Sequence, residues 1–127
     1  MHVLLVEDDD GIRIALSRVM GAHGYKVVEC VDVRSACSCL TEQTFDTIIV
    51  DVNLPDASGW EIFQCFGPLG QNHPRPRVVV MSAGAPSSVR VRHHRPDAVL
   101  LKPFPVTSLL RIVAGSRSAY SQVEAVQ

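Results

Sequence analysis

Short all-apolar runs alternate with stretches of helical period along almost the whole chain, and this alternation constrains the fold more than any other feature. Residues 3–6 form an apolar run that ends in acids, the pattern of a strand buried on both faces. Ile12, Ala15, Leu16, Val19 and Met20 then recur at the spacing of one helical face, with Asp9 or Asp10 placed to cap the start and Gly24 to stop it. Residues 25–30 read as a second strand, and residues 33–41 as a helix that turns Ala36, Cys37 and Leu40 inward. A third buried strand over 47–50 ends at Asp51. The loop over 53–59 leads to a helix with Ile62, Phe63 and Phe66 on one face, cut short by Gly67, Pro68 and Gly70. Arg77–Ser82 is a fourth strand, and a helix is predicted from about Pro86, since proline suits the first helical position. Ala98–Leu101 is a fifth strand, and residues 106–114 a last helix with Leu109, Leu110 and Val113 inward.

Five strands alternating with five helices imply βαβ units and a parallel sheet covered on both faces. The expected fold is therefore α/β: a flavodoxin-like (βα)5 arrangement, doubly wound, with a parallel five-stranded sheet in the order 2-1-3-4-5. A chain of 127 residues with 46% apolar content suits one domain, here residues 1–115. Residues 116–127 lose periodicity and read as a tail or the start of a linker. A net charge of −1 favours neither nucleic acid nor membrane as a partner. No stretch approaches the ~20 apolar residues of a membrane-spanning helix, and the start lacks the basic, apolar and small-residue regions of a secretory signal. The expected location is the cytoplasm. Cys30, Cys37, Cys39 and Cys65 contain no C-x-x-C pair and read as small apolar residues in a reducing compartment.

In such sheets ligand chemistry sits at the carboxyl ends of the strands, near the switch between strands one and three. Glu7 and Asp8 follow strand one, Asp51 ends strand three, Ser82 ends strand four and Lys102 follows strand five. Each has an ordinary reading: a capped helix start for 7–10, a loop carboxylate, a strand-end hydroxyl and a surface lysine. Their convergence on one rim carries more weight than any one of them. Three carboxylates a few ångströms apart must share protons or recruit a cation. Hard oxygen donors suit magnesium, which takes one or two carboxylates and fills its shell with water and phosphate oxygens. A carboxylate is also a competent phosphoryl acceptor, and a lysine ammonium opposite it would offset the charge of the incoming group.

The segments V-E-D-D, D-V-N-L-P-D-A-S-G, V-V-V-M-S-A and L-L-K-P-F resemble the receiver domain of two-component response regulators, and the likeness runs from Val3 to about Val113. The resemblance implies that Asp51 accepts a phosphoryl group from a phosphohistidine on a sensor histidine kinase or phosphotransfer protein. It implies Mg2+, replaceable by Mn2+, held by Asp8, Asp51 and the Asn53 backbone carbonyl, with Glu7 acting through water. Lys102 would pair with the phosphoryl group and Ser82 would be the switch hydroxyl. Ala83 would leave room for the phosphoryl oxygens, and the Lys102–Pro103 bond would be cis. The function implied is a signalling protein that catalyses its own phosphorylation and dephosphorylation, rather than a conventional enzyme. A downstream protein target is expected, and homodimers through the fourth helix, fifth strand and fifth helix.

Two features depart from the family pattern. Val99 stands where receivers usually carry an aromatic ring, three positions before the lysine, so output would either be weaker or run through backbone shifts of the loop after Ser82. The stretch between Ser82 and Lys102 is short and carries Arg90, Arg92, His93, His94 and Arg95, read either as a solvated basic face or as a docking surface for an acidic partner. Gly84 offers no side chain to shield or steer an attacking water. Two rival functions arise. A phosphatase of the haloacid dehalogenase type is disfavoured because Asn53 stands where its second aspartate would be. A phosphorylation-independent, receiver-like adaptor is disfavoured because the acids, the acceptor and the lysine are all kept. No helix-turn-helix segment supports direct DNA binding.

Overall fold

Thr47-Ile48-Ile49-Val50-Asp51 is buried at every position, as a strand flanked on both edges and covered on both faces must be. In the computed structural model, which describes residues 1–66 and 75–115, this segment is β3 (Thr47–Asp51) at the centre of a five-stranded parallel sheet. The other strands are β1 (His2–Val6), β2 (Lys26–Cys30), β4 (Arg77–Ser82) and β5 (Ala98–Leu101), and the order is β2-β1-β3-β4-β5, as expected.

Successive strand residues face opposite ways, and two apolar layers follow. Val3, Leu5, Ile49, Val79 and Met81 pack with Leu16 and Met20 of α1 (Asp10–Ala22) and with Leu109, Ile112 and Val113 of α4 (Val106–Val113). On the other face, Leu4, Val6, Ile48, Val50 and Val80 pack with Ala36 of α2 (Val33–Glu42) and with Trp60 and Ile62 of a 3-10 helix (Gly59–Gln64). Val91 of α3 (Ser88–His94) adds to that layer. Each fully buried Leu or Ile contributes about 1.5–3 kcal/mol through area removed from water. Among the described residues no helix is long and apolar enough to cross a membrane.

Asp9 caps α1, accepting from the Ile12 N–H at 2.9 Å, and Gly24 beyond its end has φ of 89°, a conformation open to glycine at little cost. The apolar stripe of α1 is narrower than predicted: Leu16 and Met20 are buried, while Ile12 is 37% exposed and Ala15 also faces solvent. This helix packs over β1 and β2 at the sheet edge, where less apolar surface is available to cover it. The second strand starts at Lys26 rather than at residue 25, and α2 runs one residue longer than predicted.

Three predictions are corrected. The segment with Ile62 and Phe63 is a six-residue 3-10 helix, not an α-helix, and Phe66 lies beyond its end. Ser58 and Glu61 close a capping box at its start, and Gly59 is held tightly against the backbone of β3, so the segment makes tight turns and ends early. Gly67, Pro68 and Gly70, expected to stop it, lie outside the described residues, as do residues 116–127. The helix predicted from Pro86 begins at Ser88 instead, because the Ser87 hydroxyl caps it by accepting from the Arg90 N–H at 3.3 Å. The cysteines are not four equivalent apolar fillers: Cys37 of α2 and Cys65 after the 3-10 helix are joined as a disulfide, with their Cα atoms 5.5 Å apart. Cys30 and Cys39 remain thiols, with sulfurs 3.6 Å apart.

Candidate functional site

Strand register assembles the site. Val6 pairs with Val50, so Glu7 and Asp51 emerge side by side at the carboxyl rim. Asp51 is in register with Met81, and Ser82 with Leu101, which brings Ser82 and Lys102 to the same rim. Backbone bonds carry the pairing past the strand ends: Glu7 N–H to Cys30 at 3.0 Å, Val52 N–H to Met81 at 2.9 Å and Lys102 N–H to Ser82 at 2.7 Å.

The Lys102 ammonium donates to Asp51 Oδ2 at 2.6 Å and to Glu7 Oε1 at 2.7 Å. Glu7 has no exposed surface and Asp51 is 5% exposed, whereas Asp8 faces solvent. Carboxylate oxygens of Glu7, Asp8 and Asp51 all lie within 4.8 Å of one another. The second Asp51 oxygen, Oδ1, accepts from the Asn53 N–H at 3.0 Å, and Glu7 Oε2 accepts from the Asp9 N–H at 3.2 Å. Burial pushes the Glu7 carboxyl above its ordinary range and the neighbouring Asp51 adds to this, while the Lys102 bond works the other way. Burial opposes the Lys102 ammonium, but its bonds to Asp51 and Glu7 outweigh that and hold its pKa above the usual lysine value.

The remaining predicted residues surround this core. Ser82 is 7% exposed and its hydroxyl donates to the Gly84 carbonyl at 2.5 Å, while Ala83 is exposed beside it. Asn53 sits just past Asp51, in a bridge to Ser58. The Lys102–Pro103 bond is cis, as expected. Val99 is 1% exposed and packed in the second apolar layer. His93 and His94 meet edge to face instead of converging on a common point, and His94 stacks on Trp60 and Phe63.

Supporting contacts went unread in the sequence. The Asp56 carboxylate accepts from the Val33 and Arg34 N–H groups, both at 3.0 Å, and so caps α2 from the loop after Asp51. Those bonds hold the Asp56 carboxyl below its ordinary value. Arg13 donates to the Glu7 carbonyl at 3.0 Å and to Asp10 at 2.6 Å. Gly59 lies against Asp51 so closely that a Cβ there would collide with the Asp51 carbonyl. An aspartate after proline signals a turn, but nothing local signals a partner helix 22 residues away.

The donor set fits a small hard divalent cation: carboxylate oxygens only, close together, two of the three groups buried, with solvent on the Asp8 side.

The family model for the response regulator receiver domain matches residues 3–114. Response regulator protein FleR of Pseudomonas aeruginosa is 34% identical over 114 residues, covering 88% of this chain and 24% of FleR. The chain spans half or less of the length of most curated relatives it matches. The crystal structure of a response regulator protein from Burkholderia pseudomallei, with a phosphorylated aspartic acid, calcium ion and citrate, superposes with a TM-score of 0.79 at 26% identity, over 98% of this chain and 71% of that one. The chemotaxis response regulator CheY4 of Vibrio cholerae gives 0.79 at 25% identity, over 89% and 95%. The chain belongs to the response regulator receiver domain family of two-component signalling systems.

Proposed function

We propose that residues 1–115 act as a phosphoacceptor switch in which Asp51 is phosphorylated by a sensor histidine kinase or a phosphotransfer protein. The observation that carries this is the placement of the Asp51 carboxylate, buried, with one oxygen on the Lys102 ammonium and the other on the Asn53 N–H. An Asp51 oxygen attacks phosphorus, a P–O bond forms, and the P–N bond of the phosphohistidine breaks with its electron pair left on the imidazole. Lys102 already sits within hydrogen-bond distance of the reacting carboxylate, so its charge is in place for the phosphoryl oxygens before they arrive. Asp8, Asp51 and the Asn53 carbonyl would hold Mg2+, with Glu7 acting through water, and the cation would supply further charge for the same oxygens. Mn2+, with the same preference for oxygen ligands, would substitute.

Ser82 releases the Gly84 carbonyl and donates to a phosphoryl oxygen, which draws on residues 83–87. Val99 has no ring to turn inward, so this loop transmits the change to α3, β5 and α4, the surface we assign to the downstream protein and to homodimers. Ala83 keeps the approach to Asp51 open, and the same site hydrolyses its own acyl phosphate.

Incubation with Mg2+ and acetyl phosphate, followed by intact mass, tests the reading. One added phosphoryl group is expected in the parent, and none with Asp51→Asn or with a chelator. A folded parent that gains no mass would overturn it.

A further inference from the structure

Cys37 and Cys65 belong to no part of the acceptor chemistry, yet they join the two elements that frame it. Cys37 lies in α2, and Cys65 follows the 3-10 helix that continues the segment leaving Asp51. That segment is tied to α2 a second time, by the Asp56 carboxylate on the Val33 and Arg34 N–H groups. Between Asp51 and these ties lies Asn53, whose N–H holds Asp51 Oδ1. With the disulfide made, the segment from Val52 to Cys65 is closed against α2 near both ends. With it broken, the Asp56 bonds and the burial of Trp60 and Ile62 remain.

Both sulfurs belong to half-buried residues, within reach of small oxidants and reductants. The other thiols are placed differently. Cys30 is buried, and burial together with the neighbouring Cys39 pushes its thiol up to about 12, so it carries almost no thiolate near neutral pH. Cys39 is half-buried like Cys37 and Cys65, but its sulfur neighbour is that buried Cys30 thiol, so the pair placed for oxidation to a disulfide is Cys37 with Cys65. The distance between their Cα atoms, 5.5 Å, lies within the usual disulfide range, so forming or breaking the bond requires no backbone rearrangement.

We propose that Cys37 and Cys65 form a reversible oxidation site whose disulfide orders the segment after Asp51 and thereby strengthens divalent-cation binding at the acceptor pocket. The oxidant class is a peroxide. One thiolate attacks a peroxide oxygen, an S–O bond forms, the O–O bond breaks, and the leaving hydroxide takes a proton to become water. The second thiol then attacks the sulfenic sulfur, the S–S bond forms, and the S–O bond breaks to release a second water. The net change is two thiols and one hydrogen peroxide giving one disulfide and two waters. A dithiol reductant reverses it by thiol–disulfide exchange. The coupling is entropic: a cation that takes the Asn53 carbonyl must order its segment, and the oxidised chain has less order left to impose. This coupling rests on the cation site proposed above.

The test uses the full chain in two redox states. After stoichiometric hydrogen peroxide, denaturation and alkylation, two of the four cysteines should carry adducts; after a dithiol reductant, all four should. Mg2+ titration followed by the fluorescence of Trp60, the single tryptophan, should show about fivefold tighter binding in the oxidised chain. Cys37→Ser and Cys65→Ser should each abolish the difference, and Cys39→Ser should keep it. Four adducts in the oxidised chain, or a pairing other than Cys37 with Cys65, would overturn the oxidation site. Superimposed Mg2+ curves would overturn the coupling. Absence of Mg2+ binding in both states would overturn the cation site itself and the coupling with it, while the adduct count would still decide the disulfide.

Discussion

Among the described residues Lys102 is the one positive charge in contact with two carboxylates that have almost no access to solvent, and replacing it with methionine isolates that role. Methionine keeps the length and the apolar stem, so packing changes little and the charge is lost. Glu7, with no exposed surface, and Asp51, at 5%, are then left facing one another and the exposed Asp8. Removing one partner from a buried ion pair typically costs about 3–5 kcal/mol. Protonation limits the loss here, because burial and the Asp51 charge already favour the protonated form of Glu7. A loss of about 3 kcal/mol near pH 7 is the expected result, equivalent to a fall in Tm of about 10 °C for a domain of this size. The pH dependence has a definite sign. A carboxyl whose folded pKa is raised binds more protons in the folded state, so stability falls as pH rises from the ordinary value of 4.5 through the folded one. The difference between Lys102→Met and the parent should therefore shrink below pH 4.5, and millimolar Mg2+ should restore part of it near pH 7. Urea unfolding followed by Trp60 fluorescence, at several pH values with and without Mg2+, measures all of this. Equal midpoints for the two chains at pH 7 without Mg2+ would refute the claim that Lys102 compensates the buried acids.

Other consequences are as direct. The Thr47 hydroxyl is buried and has no hydrogen-bond partner among the described residues, so Thr47→Val should stabilise by about 1–2 kcal/mol in a urea titration; a loss of stability would mean that the hydroxyl is satisfied. Gly59→Ala should cost more than about 2 kcal/mol, because its Cβ would meet the backbone of Asp51 and not a side chain able to move; an unchanged unfolding midpoint would refute the close approach. Burial, and then the charges of His93, Arg90 and Arg75, hold the His94 imidazole below 6.5. The unfolded chain then binds the extra proton, so this part of the stability is full above about pH 6.5 and falls as pH drops toward the folded pKa. His94→Gln should flatten the dependence of Tm between pH 5 and 7.5 relative to the parent, and parallel curves for the two chains would count against it.

What was legible in the sequence followed from periodicity and topology together. Buried apolar runs marked the strands, their alternation with helices set the order, and the order carried Glu7, Asp8, Asp51, Ser82 and Lys102 to one rim. Contacts between elements were not legible. The capping of α2 by Asp56 joins residues 22 and 23 positions apart, and the Cys37–Cys65 link spans 28, with no local spacing to announce either. The narrow buried stripe of α1 depends on how much of the sheet edge reaches it, and the period of its own residues says nothing of that. At Ser87 two local rules competed, and the serine cap prevailed over proline at the first helical turn.

Lys102 and Glu7 lie 95 residues apart, and Lys102 and Asp51 51 apart. Such contacts exist only after β1, β3, β4 and β5 have all been laid into one sheet, because no local segment holds even two of the three groups. The charged centre is thus among the last contacts that chain entropy permits and among the first to vanish when the sheet opens. Under the function proposed above, a partly unfolded copy would hold no assembled charged centre around Asp51 and so would not take up the phosphoryl group.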